Sequence, residues 1–223
     1  MKKYIFTLLL FSSALTMLAA KPEMVKFKVP AQTVTSIEAN KAFKVVYTQS
    51  PNTSVTVIAP KRIKDKIKVR IKEGKLTTGF SGSANMTSNE SITVIVTAPA
   101  VNDFEANSAA SITIKGALSL PSSEVDIELS SAASFTADAI NCAKLEIDCS
   151  SASSATIASC NTKTVEAESS SAASLTVKGI NATTVKGNSS SAASLTLSGS
   201  CITARLSKSS MGSLSSSGLK TKK

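Results

Sequence analysis

A four-residue motif recurs along the second half of the chain and constrains the fold more than any other feature. The motif is Ser-Ala-Ala-Ser or a close variant, and successive copies start 23, 20, 20, 20 and 19 residues apart. A period near 20 is too short for a helical hairpin repeat and matches one coil of a parallel β-solenoid, in which each coil hydrogen-bonds to the next. The sequence therefore predicts an all-β, single-stranded parallel β-helix. The copies start at Ser108, Ser131, Ser151, Ser171, Ser191 and Ser210.

Aligning the copies on their serines predicts the direction of each side chain, because strand residues alternate between two faces. Apolar pairs such as Ile112 with Ile114, or Leu195 with Leu197, share two columns and are predicted to fill the interior. Between them lies an outward column of β-branched hydroxyl residues, which suit an exposed strand face. This threonine column consists of Thr113, Thr136, Thr156, Thr176 and Thr196.

The second strand of each coil is predicted to place eight acids in two outward columns, here called the acidic columns. Carboxylates stacked about 4.8 Å apart repel each other. One interpretation is that the columns bind a divalent cation, Ca²⁺ by ligand hardness, or a basic partner. The other is a solvated polar face, relieved by salt screening, raised carboxylate pKa values and the nearby Lys144 and Lys163. One column holds Asp103, Asp126, Glu146 and Glu166, and the other holds Glu105, Glu128, Asp148 and Glu168.

A basic segment precedes the repeat, and its alternation with apolar residues predicts one strand with a row of cations on one side. An anionic polymer such as lipopolysaccharide, an acidic glycan or extracellular DNA could bind there by charge alone. The alternative is an edge strand that lysines protect from pairing. A further hypothesis is salt-sensitive self-association, in which this strand of one molecule meets the acidic columns of another. The cations are Lys66, Lys68, Arg70 and Lys72, separated by Ile67, Val69 and Ile71.

The first 20 residues have the pattern of a secretory signal peptide: basic residues, an apolar run from Ile5 to Leu18, then Ala19-Ala20. The pattern predicts an exported protein of the periplasm or cell surface, and no later apolar run could cross a bilayer. Residues 21–100 are predicted to form an irregular β region that caps the solenoid and is continuous with it. Residues 101–219 form the repeat coils, and 220–223 a basic tail. The net positive charge beyond the leader lies entirely in residues 21–100.

Two cysteines, Cys142 and Cys160, fall at nearly equivalent places in neighbouring coils, and theirs is the one disulfide that the repeat would permit. The alternative is that the cysteines are small apolar interior residues, since Cys160 takes the place that Ile140 and Ile180 hold in the flanking coils.

Composition argues against several kinds of catalysis. The chain has no His and no Trp, so it contains neither a Ser-His nucleophile pair nor a His-based metal site. No motif for a cofactor or for specific nucleic-acid binding is present. Some parallel β-helices are polysaccharide lyases or glycosidases, so a Ca²⁺-assisted carbohydrate-active enzyme or carbohydrate-binding module stays as an alternative. Against it, Phe104 and Phe135 fall in interior columns and offer no aromatic platform for a sugar.

Several motifs resemble one bacterial family, the putative auto-transporter adhesin, head GIN domain. The resemblance extends over roughly Ile37 to Leu219 and implies an exported right-handed parallel β-helix without an assigned activity or catalytic residues. We therefore predict a non-catalytic, adhesin-like envelope protein that contacts macromolecules or glycans through its surface. The motifs are Gly179-Ile180-Asn181, its near copy Ala139-Ile140-Asn141, the run Phe43 to Gln49, Glu73-Gly74-Lys75-Leu76-Thr77, and Ala98-Pro99 ahead of the first repeat.

Overall fold

The computed structural model describes residues 22–30, 32–82 and 90–222. The predicted signal peptide, residues 1–20, lies outside these ranges. The described residues form β-strands and one 3₁₀ helix, Lys61–Lys66. The strands are β1 (Met24–Val29), β2 (Ser36–Ala39), β3 (Phe43–Gln49), β4 (Ser54–Pro60), β5 (Ile67–Lys72), β6 (Lys75–Phe80), β7 (Ile92–Ala98), β8 (Asp103–Ala106), β9 (Ser111–Leu129), β10 (Ser134–Cys149), β11 (Ser154–Ile157), β12 (Cys160–Asn161), β13 (Thr164–Ser169), β14 (Ser174–Asn181), β15 (Thr184–Ser189), β16 (Ser194–Cys201), β17 (Thr203–Lys208) and β18 (Ser213–Thr221).

Strands β8 to β18 wind into parallel coils stacked in register, which confirms the predicted solenoid with a repeat of about 20 residues. Thr136 pairs with Thr113 on one side and with Thr156 on the other, and the column continues through Thr176 to Thr196. Equivalent residues of successive coils are therefore vertical neighbours, and any outward property of one coil is repeated along the stack.

The Ser-Ala-Ala-Ser motif forms the turn between the two strands of each coil. Its first two residues both have positive φ, for example 52° at Ser151 and 60° at Ala152. The next residue points inward and is buried, as Ala133 and Ala173 are. The turn closes with a hydrogen bond of 3.1 Å from Ala133 N to Ser130 O. Small residues are required here because a left-handed backbone penalises larger side chains and the interior has little room at the bend.

Parallel stacking begins well before the first repeat motif. Strands β2 and β3 form a coil of their own, in which β2 pairs in parallel with β8, and β3 with β9. The turn of this coil is Lys41-Ala42, with φ of 56° and 61°, and Ala42 N donates 3.0 Å to Ser108 O. Strands β6 and β7 pair in parallel with the other side of the same coil. The spatial order of the coils therefore differs from their order in the chain.

Antiparallel strands lie at the N-terminal end of the stack. Strand β4 pairs antiparallel with β7, β1 with β4, and β5 with β6. The change from parallel to antiparallel pairing lets the chain finish the stack without another full coil.

The interior is a continuous apolar column that runs the length of the stack. Rings of Tyr47, Phe104 and Phe135 follow one another with centroids 5.8 Å apart, and all three side chains are buried. Tyr47 also donates a buried 3.0 Å hydrogen bond to Ala98 O. The phenylalanines are thus interior residues, as predicted.

The Gly-Ile-Asn turn contributes both to the interior and to the surface. Ile180 is buried and stacks on Cys160, which stacks on Ile140. Asn181 Nδ2 donates 2.9 Å to Asn161 Oδ1, and Asn161 Nδ2 donates 3.1 Å to Asn141 Oδ1. The cysteines are free and buried, in agreement with the interpretation as interior residues: Cys142, Cys149, Cys160 and Cys201.

Candidate binding face

One face of the solenoid gathers most of the acidic residues together with several cations, and we call it the charged face. It is built, in spatial order, from β5, β6, β2, β8, the second halves of β9 and β10, β13, β15 and β17. Because paired residues of adjacent strands point to the same side, the outward residues form columns that cross all of these strands.

The acidic columns lie in the register that the sequence predicts, and the structure extends them. Glu38 of β2 pairs with Glu105 and adds an acid that the repeat analysis missed, because β2 precedes the repeat. Cations lie at both ends of the first column, whereas the second column has Arg70 at one end and Asn188 and Ser207 at the other. The first column reads Lys72, Lys75, Ser36, Asp103, Asp126, Glu146, Glu166, Lys186 and Arg205. The second reads Arg70, Thr77, Glu38, Glu105, Glu128, Asp148, Glu168, Asn188 and Ser207.

Lys75 neutralises the acids nearest the N-terminal end of the face. Its Nζ lies 2.9 Å from Glu38 Oε2 and 3.1 Å from Glu105 Oε2. The hydrogen bond with Glu38 raises the pKa of Lys75, and the same bond lowers the pKa of Glu38 despite the opposing effect of partial burial.

Lys144 and Lys186 neutralise acids at the other end. Lys144 Nζ lies 2.8 Å from Glu124, 2.6 Å from Glu146 and 3.2 Å from Glu166. Lys186 lies 2.5 Å from Glu166, and its hydrogen bond, followed by that of Lys144, lowers the pKa of Glu166. Of the two lysines expected to relieve the repulsion, Lys144 thus contacts three acids, whereas Lys163 forms no ion pair with the described residues.

The middle of the face keeps unneutralised negative charge. Partial burial, followed by the charges of Glu146 and Asp103, raises the pKa of Asp126. Partial burial also raises the pKa of Glu128, with Asp126 as the largest charge effect. Across residues 22–30, 32–82 and 90–222, no group of three or more acidic, cysteine or histidine side chains is arranged to hold a metal ion.

A groove of about 550 Å³ lies where the charge changes sign. Its floor is the backbone of Ile147, Ala167 and Gly187 between the two columns. Its walls combine acids with cations, so opposite charges face one open space. The charged lining residues are Glu146, Asp148, Glu166, Glu168, Lys186 and Arg205.

The basic segment forms the first strand of the charged face. Lys68, Arg70 and Lys72 are exposed on β5, opposite Gly79, Thr77 and Lys75 of β6. Lys66 differs from the sequence-based interpretation, because it ends the 3₁₀ helix and lies outside the strand. Pro60, whose ring fixes its φ at −58°, directly precedes the helix at the end of β4.

The threonine column lies on a different face. Thr136 Oγ1 donates 3.1 Å to Thr113 Oγ1, which links hydroxyls of successive coils. Val46 takes the next place in the column on the N-terminal side, and Ser215 on the C-terminal side. This face carries hydroxyls where the charged face carries ions.

The fold and the face together define a β-solenoid protein with a rigid, charge-patterned surface. A family model described as "Putative auto-transporter adhesin, head GIN domain" matches residues 34–186. The chain belongs to this family, as the sequence motifs predicted. The family is described by adhesion rather than by an enzymatic activity, which supports an adhesin-like role.

Solved structures share the fold. A putative adhesin from Bacteroides fragilis superposes with a TM-score of 0.67 at 20% identity, covering 86% of this chain and 96% of that one. A putative adhesin from Parabacteroides distasonis gives 0.58 at 15% identity, covering 87% and 97%. A putative lipid binding protein from the same species gives 0.54 at 10% identity, covering 86% and 96%. A comparison with curated proteins gave no match. Within the described part of the chain, no helix is long and apolar enough to span a membrane.

Proposed function

We propose that this protein is an exported, non-catalytic adhesin-like protein that binds glycans or other macromolecules through its charged face. The observation that supports this most is the registered pattern of that face, in which the first acidic column is bounded by Lys75 at one end and by Lys186 at the other. A solenoid sheet holds these groups at a fixed spacing of about 4.8 Å, so an extended partner binds without the cost of ordering the protein surface.

A glycan array combined with a turnover assay tests this function. Binding without release of reducing sugars or unsaturated products is the expected result. A variant with Glu128→Gln and Asp148→Asn alters the charged face, and Thr156→Val and Thr176→Val alter the threonine face as a matched control. Turnover of a bound glycan would favour the alternative of a carbohydrate-active enzyme.

The location of the protein follows from the same proposal. An adhesin must be exposed at the cell surface, whereas a strictly periplasmic protein cannot contact another cell. Protease added to intact cells is therefore expected to cleave the protein, with a periplasmic marker as the control. Complete protection on intact cells, followed by cleavage after outer-membrane lysis, would contradict adhesion.

Binding of a divalent cation by the acidic columns stays a prediction. Asp126 and Glu128 have raised pKa values and no lysine neighbour among the ion pairs of the described residues, so charge is available there for Ca²⁺. Calorimetric titration of the protein with Ca²⁺ is the test. The absence of heat at millimolar metal would rule this prediction out.

Self-association by charge also stays a prediction. Strand β5 presents Lys68, Arg70 and Lys72 at one end of the molecule, and the acidic columns of a second copy carry the opposite charge. Such an interaction weakens with salt, because exposed charges are screened beyond about 8 Å at physiological ionic strength. Sedimentation at low and high ionic strength is the test, and a monomer at low ionic strength would contradict it.

A further inference from the structure

A cleft of about 380 Å³ opens at the basic end of the charged face. It lies between β5 and β6 on one side and the turn that follows β2 on the other. Three cations from distant parts of the sequence meet there: Lys41 from that turn, and Lys68 and Arg70 from β5. The fold thus creates a basic site that is smaller and more specific than the row of cations on β5.

The three cations are available to a ligand. None of them makes an ion pair or a side-chain hydrogen bond with any residue that the structure describes. The nearest acid along the same column is Glu38, and Lys75 already contacts it at 2.9 Å. The cleft therefore keeps a concentrated positive charge, in contrast to the paired cations elsewhere on the face.

Gly79 faces open space in the cleft. It lies directly opposite Lys68 on β6 and lines the cleft, and a Cβ atom built there would meet nothing within 4 Å. Its φ is not positive, so the backbone does not require glycine. Glycine within a strand costs about 0.5–1 kcal/mol relative to alanine, and it often marks a place where a ligand approaches the backbone closely.

The surroundings of the cleft restrict the ligand to one with sparse charge. The first two acids of the second column, Glu38 and Glu105, share the single cation Lys75 and so keep a net negative charge. The next two, Glu128 and Asp148, form no ion pair with the described residues, and the column therefore repels a polymer that is charged at every unit.

Beside the acids runs a third column of half-buried amide and hydroxyl groups. Its first members already donate hydrogen bonds within the protein: Asn40 to Glu38, Asn107 to Glu105, Ser130 to Asn107 and Ser150 to Leu129 O. The hydroxyls of Ser170 and Ser190 form no hydrogen bond with the described residues, and they and the unused amide groups suit the hydroxyls of neutral sugars. This column begins in the cleft and consists of Asn40, Asn107, Ser130, Ser150, Ser170 and Ser190.

We propose that this cleft binds a single carboxylate carried by an otherwise neutral glycan, whose sugar chain lies along the amide and hydroxyl column. The inference rests on the proposed function and names its ligand class. The planar guanidinium of Arg70 pairs with the two carboxylate oxygens, because that geometry is bidentate. Lys41 and Lys68 add charge from either side, and the space above Gly79 admits the sugar ring.

Titration with sialyllactose, which carries one carboxylate on its terminal sugar, is the experiment, with lactose as the uncharged control. We expect the purified protein to bind sialyllactose and to bind lactose at least about tenfold more weakly, because the charge-assisted hydrogen bonds are missing. Arg70→Ala and Lys68→Ala should each weaken binding by about tenfold or more. The matched controls Lys178→Ala and Lys26→Ala, which remove exposed cations outside the charged face, should leave the affinity unchanged.

The variant Gly79→Leu distinguishes binding that depends on the shape of the cleft from binding that depends on its charge alone. It fills the space above residue 79 and leaves all three cations in place, so it should abolish sialyllactose binding while circular dichroism stays unchanged and the melting temperature does not fall. If sialyllactose binding survives this variant and the two cation variants, the cleft is not the carboxylate-binding site, although the proposed function still stands. If heparin or single-stranded DNA binds more tightly than sialyllactose, and Gly79→Leu does not affect that binding, the ligand is a polyanion and the proposed ligand class is wrong. If the protein binds no glycan at all, both the cleft assignment and the proposed function are wrong.

Discussion

Lys144 Nζ lies 3.2 Å from Glu166 Oε2, and the two residues belong to neighbouring coils. The same ammonium also contacts Glu124 and Glu146, so one cation serves three carboxylates of three stacked strands. Each pair is partly exposed and weak by itself, but the shared cation offsets the repulsion among the stacked acids of these strands.

Replacing this cation should destabilise the fold. We expect Lys144→Gln to lower the free energy of unfolding by about 1–2 kcal/mol at neutral pH, as the loss of several solvent-screened pairs predicts. Urea denaturation measures the change, which should shrink in 1 M salt because the Debye length falls to about 3 Å. Lys178→Gln is the control, since Lys178 forms no ion pair within the described residues. Equal losses for the two variants would contradict this role.

The middle of the charged face should make the fold less stable at neutral pH than in mild acid. The pKa values of Asp126 and Glu128 are raised above the ordinary 3.8 and 4.5, so their contribution to stability is present at low pH and is lost as pH rises through the folded-state pKa. Asp126→Asn with Glu128→Gln should therefore raise the melting temperature at pH 7 and leave it unchanged near pH 3.

Replacing Glu166 provides a matched variant for which we expect the opposite change in melting temperature at pH 7. Lys186 and Lys144 lower its pKa, so its contribution is present above the ordinary carboxylate pKa and is lost as pH falls through the folded-state value. Glu166→Gln should lower the melting temperature at pH 7. A gain in melting temperature for both the Glu166 variant and the Asp126/Glu128 variant would show that general repulsion, rather than the local pairing, determines stability.

The acidic columns were predictable from the sequence, whereas the basic cleft was not. A constant period places Asp126, Glu146 and Glu166 in one column without any knowledge of distant contacts. The coil of β2 and β3 lacks the repeat motif: Lys41-Ala42 replaces Ser-Ala, and the coil stacks between strands that follow it in the chain. The convergence of Lys41 with Arg70 depends on that long-range pairing, which no local pattern encodes.

The geometry of the repeated turn predicts that replacing two neighbouring alanines by glycine changes the stability of the protein in opposite directions. Ala172 has a φ of 62°, and a left-handed residue with a Cβ costs roughly 1–2 kcal/mol, which exceeds the entropic cost of glycine. Ala172→Gly should therefore stabilise the protein by up to about 1 kcal/mol. Ala173 is buried with ordinary φ, so Ala173→Gly should destabilise it by about 1 kcal/mol through the lost methyl group and added backbone freedom. Thermal unfolding compares the two, and a loss for both would contradict strain at the turn.

Because the cysteines are buried, we expect their thiols to react slowly until the protein unfolds. Burial raises the pKa of Cys149 and of Cys160 to about 12, and little of the reactive thiolate is present at neutral pH. We expect negligible reaction with a thiol reagent in the native state and four reactive thiols per chain in denaturant, matching the four cysteines of the sequence. A reducing agent should leave the melting temperature unchanged, because no disulfide restricts the unfolded chain. Only two reactive thiols after denaturation, together with a linked Cys142–Cys160 peptide by mass spectrometry, would show instead that the exported protein oxidises this pair.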